Sequence, residues 1–161
     1  MVGICVLRKE YDKAIVAGQK AIKLDPNSAE SYFYYGHALR YDGHFDEAIS
    51  ILKKAIRLNP VTPLKYLNNL AWAYMFSKQY EQAILLWKKI LQRSPDHFFS
   101  YLGLTLAYQL SGNETMARES AAKLIRIKPD LTVTKLDKGS ATKNIDRKRM
   151  MDALRMAGIP E

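Results

Sequence analysis

Metal binding and covalent catalysis need histidine, cysteine, hydroxyl and carboxylate side chains at particular spacings, and in this sequence those spacings do not occur. The three histidines, His37, His44 and His97, form no H-x3-H pair and have no cysteine partner. Cys5, the only cysteine, has no histidine near it in sequence to serve as its base. There is no G-x-S-x-G elbow, no Gly-rich phosphate loop and no setting that singles out a pair of carboxylates. The expectation is a chain that is not an enzyme and that uses no cofactor and no metal. What the sequence does offer is recognition chemistry: Phe33, Tyr34, His37, Arg40, Tyr41, Lys65, Asn68, Asn69, Trp72, Met75 and Phe76. Aromatic and Met side chains supply contact area, and Asn pairs with peptide groups. Such a set works only if the elements carrying it bring it onto one wall.

The totals allow such elements. With 48% hydrophobic and 25% charged residues over 161 positions, the chain has enough apolar material for one packed domain, and 8 glycines and 6 prolines are too few for a loop-rich protein. One cysteine permits no internal disulfide, and the apolar stretch before Arg8 is too short for an export signal, so the cytoplasm is the expected compartment. The longest uncharged run, Phe98 to Asn113, contains Ser100, Gln109 and Asn113 and falls short of the roughly 20 apolar residues of a membrane span. A buried helix is expected there.

Self-similarity organises the rest. Four blocks end alike, in AIKLDP, AIRLNP, ILQRSP and LIRIKP, and their closing prolines Pro26, Pro60, Pro95 and Pro129 are 34, 35 and 34 residues apart. Asp42-Gly43 and Ser111-Gly112-Asn113 are turn sequences inside blocks, and Asn27-Ser28 and Thr62-Pro63 are helix starts between them, with Pro63 suited to the first helical position. Within the blocks, Tyr32, Tyr35, Gly36, Leu39, Ala48, Leu52 and Pro60 recur as Leu67, Leu70, Ala71, Tyr74, Ala83, Trp87 and Pro95, and again as Tyr101, Leu104, Thr105, Tyr108, Ala117, Ala121 and Pro129. Small residues at Gly36, Ala48, Ala71, Ala83 and Ala117 let two antiparallel helices approach, and Leu52, Trp87, Tyr74 and Tyr108 fill the space between units.

This pattern and period resemble the tetratricopeptide repeat over residues 1–129. The fold class is therefore expected to be all-α: a right-handed superhelical solenoid of antiparallel helix pairs, with a partial repeat at 1–26, repeats at 27–60, 61–95 and 96–129, and a tail at 130–161. Ile4, Val6, Leu7 and Ile15 look like residues that a preceding unit would cover, so the chain is expected to be the carboxyl-terminal part of a longer protein. In the tail, Asn144 is placed to cap a helix over about 145–157, closed by Gly158 and Pro160, with Ile145, Met150, Met151, Leu154 and Ala157 as its apolar stripe. That helix is expected to cover the last repeat, near Leu124 or on the face of Leu102, Leu106 and Leu110. DRKRMMDALRMAGIPE resembles the tail that follows such repeats in bacterial multidomain proteins, class III nucleotide cyclases among them, which implies a signalling parent.

In a solenoid of this kind the first helix of each pair lines the concave wall. Register then stacks Tyr34 with Asn69 and Gly103, His37 with Trp72 and Leu106, Arg40 with Met75 and Gln109, and Tyr41 with Phe76 and Leu110. The expected function is protein–protein interaction or scaffolding, with a peptide or protein partner in that groove. The subgroup of the family that clamps a chaperone's terminal carboxylate needs Lys, Asn and Arg together on neighbouring first helices; Lys65 and Asn69 fit singly, while Tyr34, His37 and Gly103 do not complete the set. The net charge of +9 raises nucleic-acid binding as an alternative, against which the cations Lys20, Lys23, Lys53, Lys54, Arg57, Lys88, Lys89, Lys123, Arg126 and Lys128 are expected mainly on second helices, away from the groove. Self-association through the incomplete first repeat is a further alternative.

Overall fold

A computed structural model describes residues 10–139 and 147–161; Asn144 and Ile145 of the expected tail helix lie outside the described residues. Among the described residues all regular structure is helical. The helices are α1 (Tyr11–Leu24), α2 (Ala29–Asp42), α3 (Phe45–Leu58), α4 (Leu64–Phe76), α5 (Tyr80–Arg93), α6 (Phe98–Leu110), α7 (Glu114–Ile127), α8 (Val133–Gly139) and α9 (Arg147–Met156). Their ends follow local chemistry. Acidic residues occupy the first turns of α1, α3, α5 and α7 and basic residues their last turns, which complements the helix dipole. This placement accounts for Lys23, Arg57, Arg93 and Arg126 without any anionic ligand.

Side chains cap the first helices. Ser28 Oγ accepts the Ser31 N–H at 3.2 Å at the start of α2, and His97 Nδ1 accepts the Ser100 N–H at 3.2 Å at the start of α6. The start of α4 differs from expectation: Pro63 stands at the N-cap, one position before the helix, and the Thr62 hydroxyl donates to the Asn59 carbonyl at 2.9 Å. Each turn between the helices of a pair needs one left-handed residue. Gly43 (φ 97°) and Gly112 (φ 85°) supply it in two units, and Lys78 (φ 63°) supplies it in the third. The reason is a shared closing bond, His44 N to Leu39 O, Gln79 N to Tyr74 O and Asn113 N to Tyr108 O, which places the same backbone demand on all three turns.

Packing runs down the chain. α2 pairs with α3, α4 with α5 and α6 with α7, and each pair leans on the next through α3 on α4 and α5 on α6. α2 also touches α4, and α4 touches α6, so the first helices form one inner wall. Close approaches are made where a side chain is missing. A Cβ on Gly36 would lie 2.7 Å from Leu52 Cγ, and one on Gly18 would lie 2.7 Å from the Tyr35 ring. Trp87, fully buried, is wedged between α4 and α6 with its Nε1 donating to Asn68 Oδ1 at 3.1 Å. Gly103, which register alone assigns to the groove, lies under that indole: a Cβ there would come within 2.2 Å of Trp87 Cζ2.

The tail packs on the inner wall of the last repeat, through α9 on α6, where Met151 and Leu154 are buried. α8, for which the sequence analysis sets no helix, packs on α9, and the Val133 N–H donates to the Pro160 carbonyl at 2.7 Å. Gly158 takes the left-handed position after α9 (φ 97°), as its glycine predicts.

Candidate functional site

The inner wall and the tail enclose a cleft with a volume of about 470 Å³. α2 contributes His37, Arg40 and Tyr41, α4 contributes Asn68, Asn69, Trp72 and Phe76, and α6 contributes Phe98, Phe99, Leu102 and Leu106. The opposite side is built by Lys128, Leu131, Lys135 and Leu136, with Met150, Met151 and Leu154 of α9. Seven of the eleven groove residues named from the sequence therefore converge here.

The other four do not. Phe33, 4% exposed, stacks face to face on Tyr66 at 4.4 Å and meets Tyr34 edge-on at 5.2 Å. Lys65 is exposed, with its Nζ standing 5.0 Å from the Phe33 ring centre and 5.6 Å from that of Tyr34. Phe33, Tyr34 and Tyr66 form an aromatic cluster beside the cleft, capped by Lys65 and linked to the lining by the Phe33–His37 stack at 5.7 Å. Met75 is 3% exposed and belongs to the core, because its helical position turns it away from the inner wall.

Two of the amides are already engaged. Asn69 is buried; its Nδ2 donates to the Lys65 carbonyl at 3.0 Å and its Oδ1 accepts from Arg40 Nε at 3.2 Å. Asn68 Oδ1 holds the Trp87 indole. Asn69 thus positions Arg40, and Asn68 positions Trp87, against which Trp72 packs edge-on at 5.2 Å. The free contact area of the cleft is aromatic and aliphatic: Trp72 is half-buried and stacks on Phe76 at 5.8 Å, and Phe99 is 53% exposed.

Arg40 is 6% exposed, and its Cζ lies 4.0 Å from the centre of the Tyr41 ring. Burial pulls its pKa below the usual arginine value, and the neighbouring tyrosines partly oppose this. No carboxylate among the described residues stands within ion-pair distance of it, whereas burial of an unpaired charge is costly. His37 Nδ1 is buried and has no hydrogen-bond partner. Its pKa is pushed down to about 3, first by burial and then by the Arg40 charge, so the imidazole is neutral at physiological pH.

That shift fixes a pH dependence. Between pH 6.5 and about 3 the unfolded chain takes up a proton at this position and the folded chain does not, so stability falls as pH falls through that window. Full expression of the term is a slope of about 1.4 kcal/mol per pH unit. The expected result is that a His37→Gln chain loses less stability than the parent between pH 6.5 and 4, measured by urea unfolding at each pH. Parallel pH profiles would contradict the assignment.

Sequence reasoning did not include the tail wall of the cleft in the site. The apolar stripe Met150, Met151, Leu154 was legible, and of its two expected destinations, near Leu124 or on the face of Leu102, Leu106 and Leu110, the structure places it on the second, between which periodicity alone does not choose. Among the described residues, no helix is long and apolar enough to cross a membrane, and no three His, Cys, Asp or Glu side chains converge as a metal site.

Comparison with known proteins places this architecture. Human Anaphase-promoting complex subunit 7 is 36% identical over 78 residues, 48% of this chain, and the match takes in 14% of that protein's length. A crystal structure of MamA superposes with a TM-score of 0.73, covering 98% of this chain and 92% of that one at 23% identity. PilW, described as a widely conserved type IV pilus biogenesis factor, superposes with a TM-score of 0.76 over 97% of this chain and 68% of its own, also at 23% identity. Both likenesses show the fold, a solenoid of helical repeats. The family model for the anaphase-promoting complex, cyclosome, subunit 3, matches residues 8–90 of the 161, and with half of the chain inside that match the protein belongs to this family of tetratricopeptide-type repeats.

Proposed function

We propose that the chain, a protein–protein interaction scaffold, holds a segment of its partner in the cleft between the inner wall and the tail. The observation that carries this is convergence: aromatic, amide and cationic side chains from α2, α4 and α6 meet α9 around about 470 Å³ of space, with Trp72 and Phe99 only partly covered. Partly exposed aromatics on a rigid wall are the usual anchors of a peptide-binding surface. Its human relative is named as a subunit of a complex, which agrees with a scaffolding role. The resemblance of the tail to those of bacterial multidomain proteins supports a place at the carboxyl-terminal end of a larger signalling protein, in a regulatory or oligomerising role. A single cysteine in 161 residues favours a reducing, cytoplasmic setting.

The test is joint substitution of Trp72 and Phe99 by alanine in a chain used to capture partners from its source cell. Captured partners are expected to bind the variant at least about tenfold more weakly, while the helical circular dichroism is retained. Retained affinity in a folded variant would move the interaction off this cleft. Self-association is the second proposal, and it draws on the apolar side chains that α1 leaves exposed, Val16 at 66% and Leu24 at 77%. Sedimentation as a strict monomer at every concentration would remove it.

A further inference from the structure

Arg40 has an unusual position. A guanidinium is seldom held nine-tenths out of water without an acid beside it, and here the protein supplies one amide oxygen, Asn69 Oδ1 at 3.2 Å, and one aromatic face, Tyr41 at 4.0 Å. The eighteen side chains that line the cleft include no Asp and no Glu. Three are cations, of which Lys135 is already paired with Asp130 at 2.8 Å, while Lys128 has no ion pair among the described residues. His37, whose Nδ1 is buried and without a partner, lines the same space. A buried guanidinium with no acid beside it and a buried imidazole with an unpartnered nitrogen thus share one apolar cleft. A protein that wanted only stability there would place a methionine or leucine in position 40.

We infer that the cleft selects a partner segment bearing an acidic side chain, Asp or Glu, next to a large apolar residue, with the carboxylate received by Arg40 and the apolar residue by Trp72 and Phe99. This rests on the reading of the cleft as a peptide site and names the peptide's chemistry. Asn69 fixes the guanidinium through Nε and Tyr41 flanks it, and at its terminal nitrogens charge-assisted bonds favour a carboxylate in a site of low polarity. The neutral His37 ring can donate to or accept from the same segment without adding charge. Lys128 at the margin adds attraction at longer range. The aromatic and aliphatic lining favours a protein segment over a nucleic-acid backbone, whose repeated phosphates call for a row of cations along the wall.

The experiment is an array of terminally blocked peptides with Glu, Asp, Gln, Asn or Lys at the centre and varied apolar flanks, probed with the whole chain. Blocking removes the terminal carboxylate, so any acid preference comes from the side chain. Glu and Asp peptides are expected to bind at least about tenfold tighter than their Gln and Asn twins, with that ratio changing little between low and moderate salt because the pair is buried. In Arg40→Met the ratio is expected to fall to near one while the melting temperature stays level or rises. Indifference to charge in the wild-type chain overturns the inference without needing any variant, as does an acid preference that survives in a folded Arg40→Met or binding that requires a free peptide terminus. Tighter binding of single-stranded RNA, lost in Arg40→Met, would also overturn it. Peptides that bind regardless of charge, and weaken in Phe99→Ala, would leave the peptide cleft standing and refute only the acid selection. No binding of any peptide, with Phe99→Ala silent, would bring down both.

Discussion

Trp87→Ala is expected to remove about 3–5 kcal/mol of stability, a large part of what holds a domain of this size together. The indole is fully buried, its N–H is satisfied by Asn68 and its edge meets Trp72, so truncation leaves a large void and an unpaired amide oxygen at the junction of two units. The reverse insult is informative as well. Gly103→Ala pushes a methyl to within 2.2 Å of a ring that has no free direction to move, and a cost of about 1–3 kcal/mol is expected. The two sites are in contact, so their effects should not add: Trp87→Leu with Gly103→Ala is expected to be more stable than the sum of the single changes predicts. Urea unfolding followed by helical circular dichroism reads all of these. An unchanged midpoint in Gly103→Ala would show that α5 and α6 are not packed as described.

The second large effect concerns the tail. Leu154 is 1% exposed on α9, and Leu154→Ala is expected to cost the tail about 2–5 kcal/mol. In a repeat array each element contacts only its neighbours, so the damage should stay local. Amide hydrogen exchange is expected to accelerate across α8 and α9, which are tied together by the Val133–Pro160 bond, and to leave α2 to α5 protected as before. Uniform loss of protection along the whole chain would mean that the tail is integral to the repeats rather than laid upon them.

How far the sequence discloses such features depends on whether the cause is local. Helix pairs, their period and the small residues between them are written in spacing, because every unit repeats the same demand, and Gly43 and Gly112 mark their turns openly. Lys78 does not, since an ordinary residue has been forced into the left-handed position by bonds that close the turn on either side. Gly103 misleads for a related reason: register puts it on the inner wall, but the large residue that needs its empty space belongs to the preceding unit. Of the candidate site, the aromatic and amide content was legible. That Asn69 and Asn68 would be occupied in orienting Arg40 and Trp87 was not, because those bonds join residues 29 and 19 positions apart. α8 is seven residues long and carries too little periodicity to be seen.

The cleft has walls from two sources, since α2, α4 and α6 belong to the array and α9 rests on it. An occupant wedged against Trp72 on one side and Met150 on the other acts as a keystone, coupling the docking of the terminal helices to its own residence. The proposed guest would therefore add to the hold of α9 on α6, where Met151 and Leu154 are buried, by whatever free energy its own binding supplies.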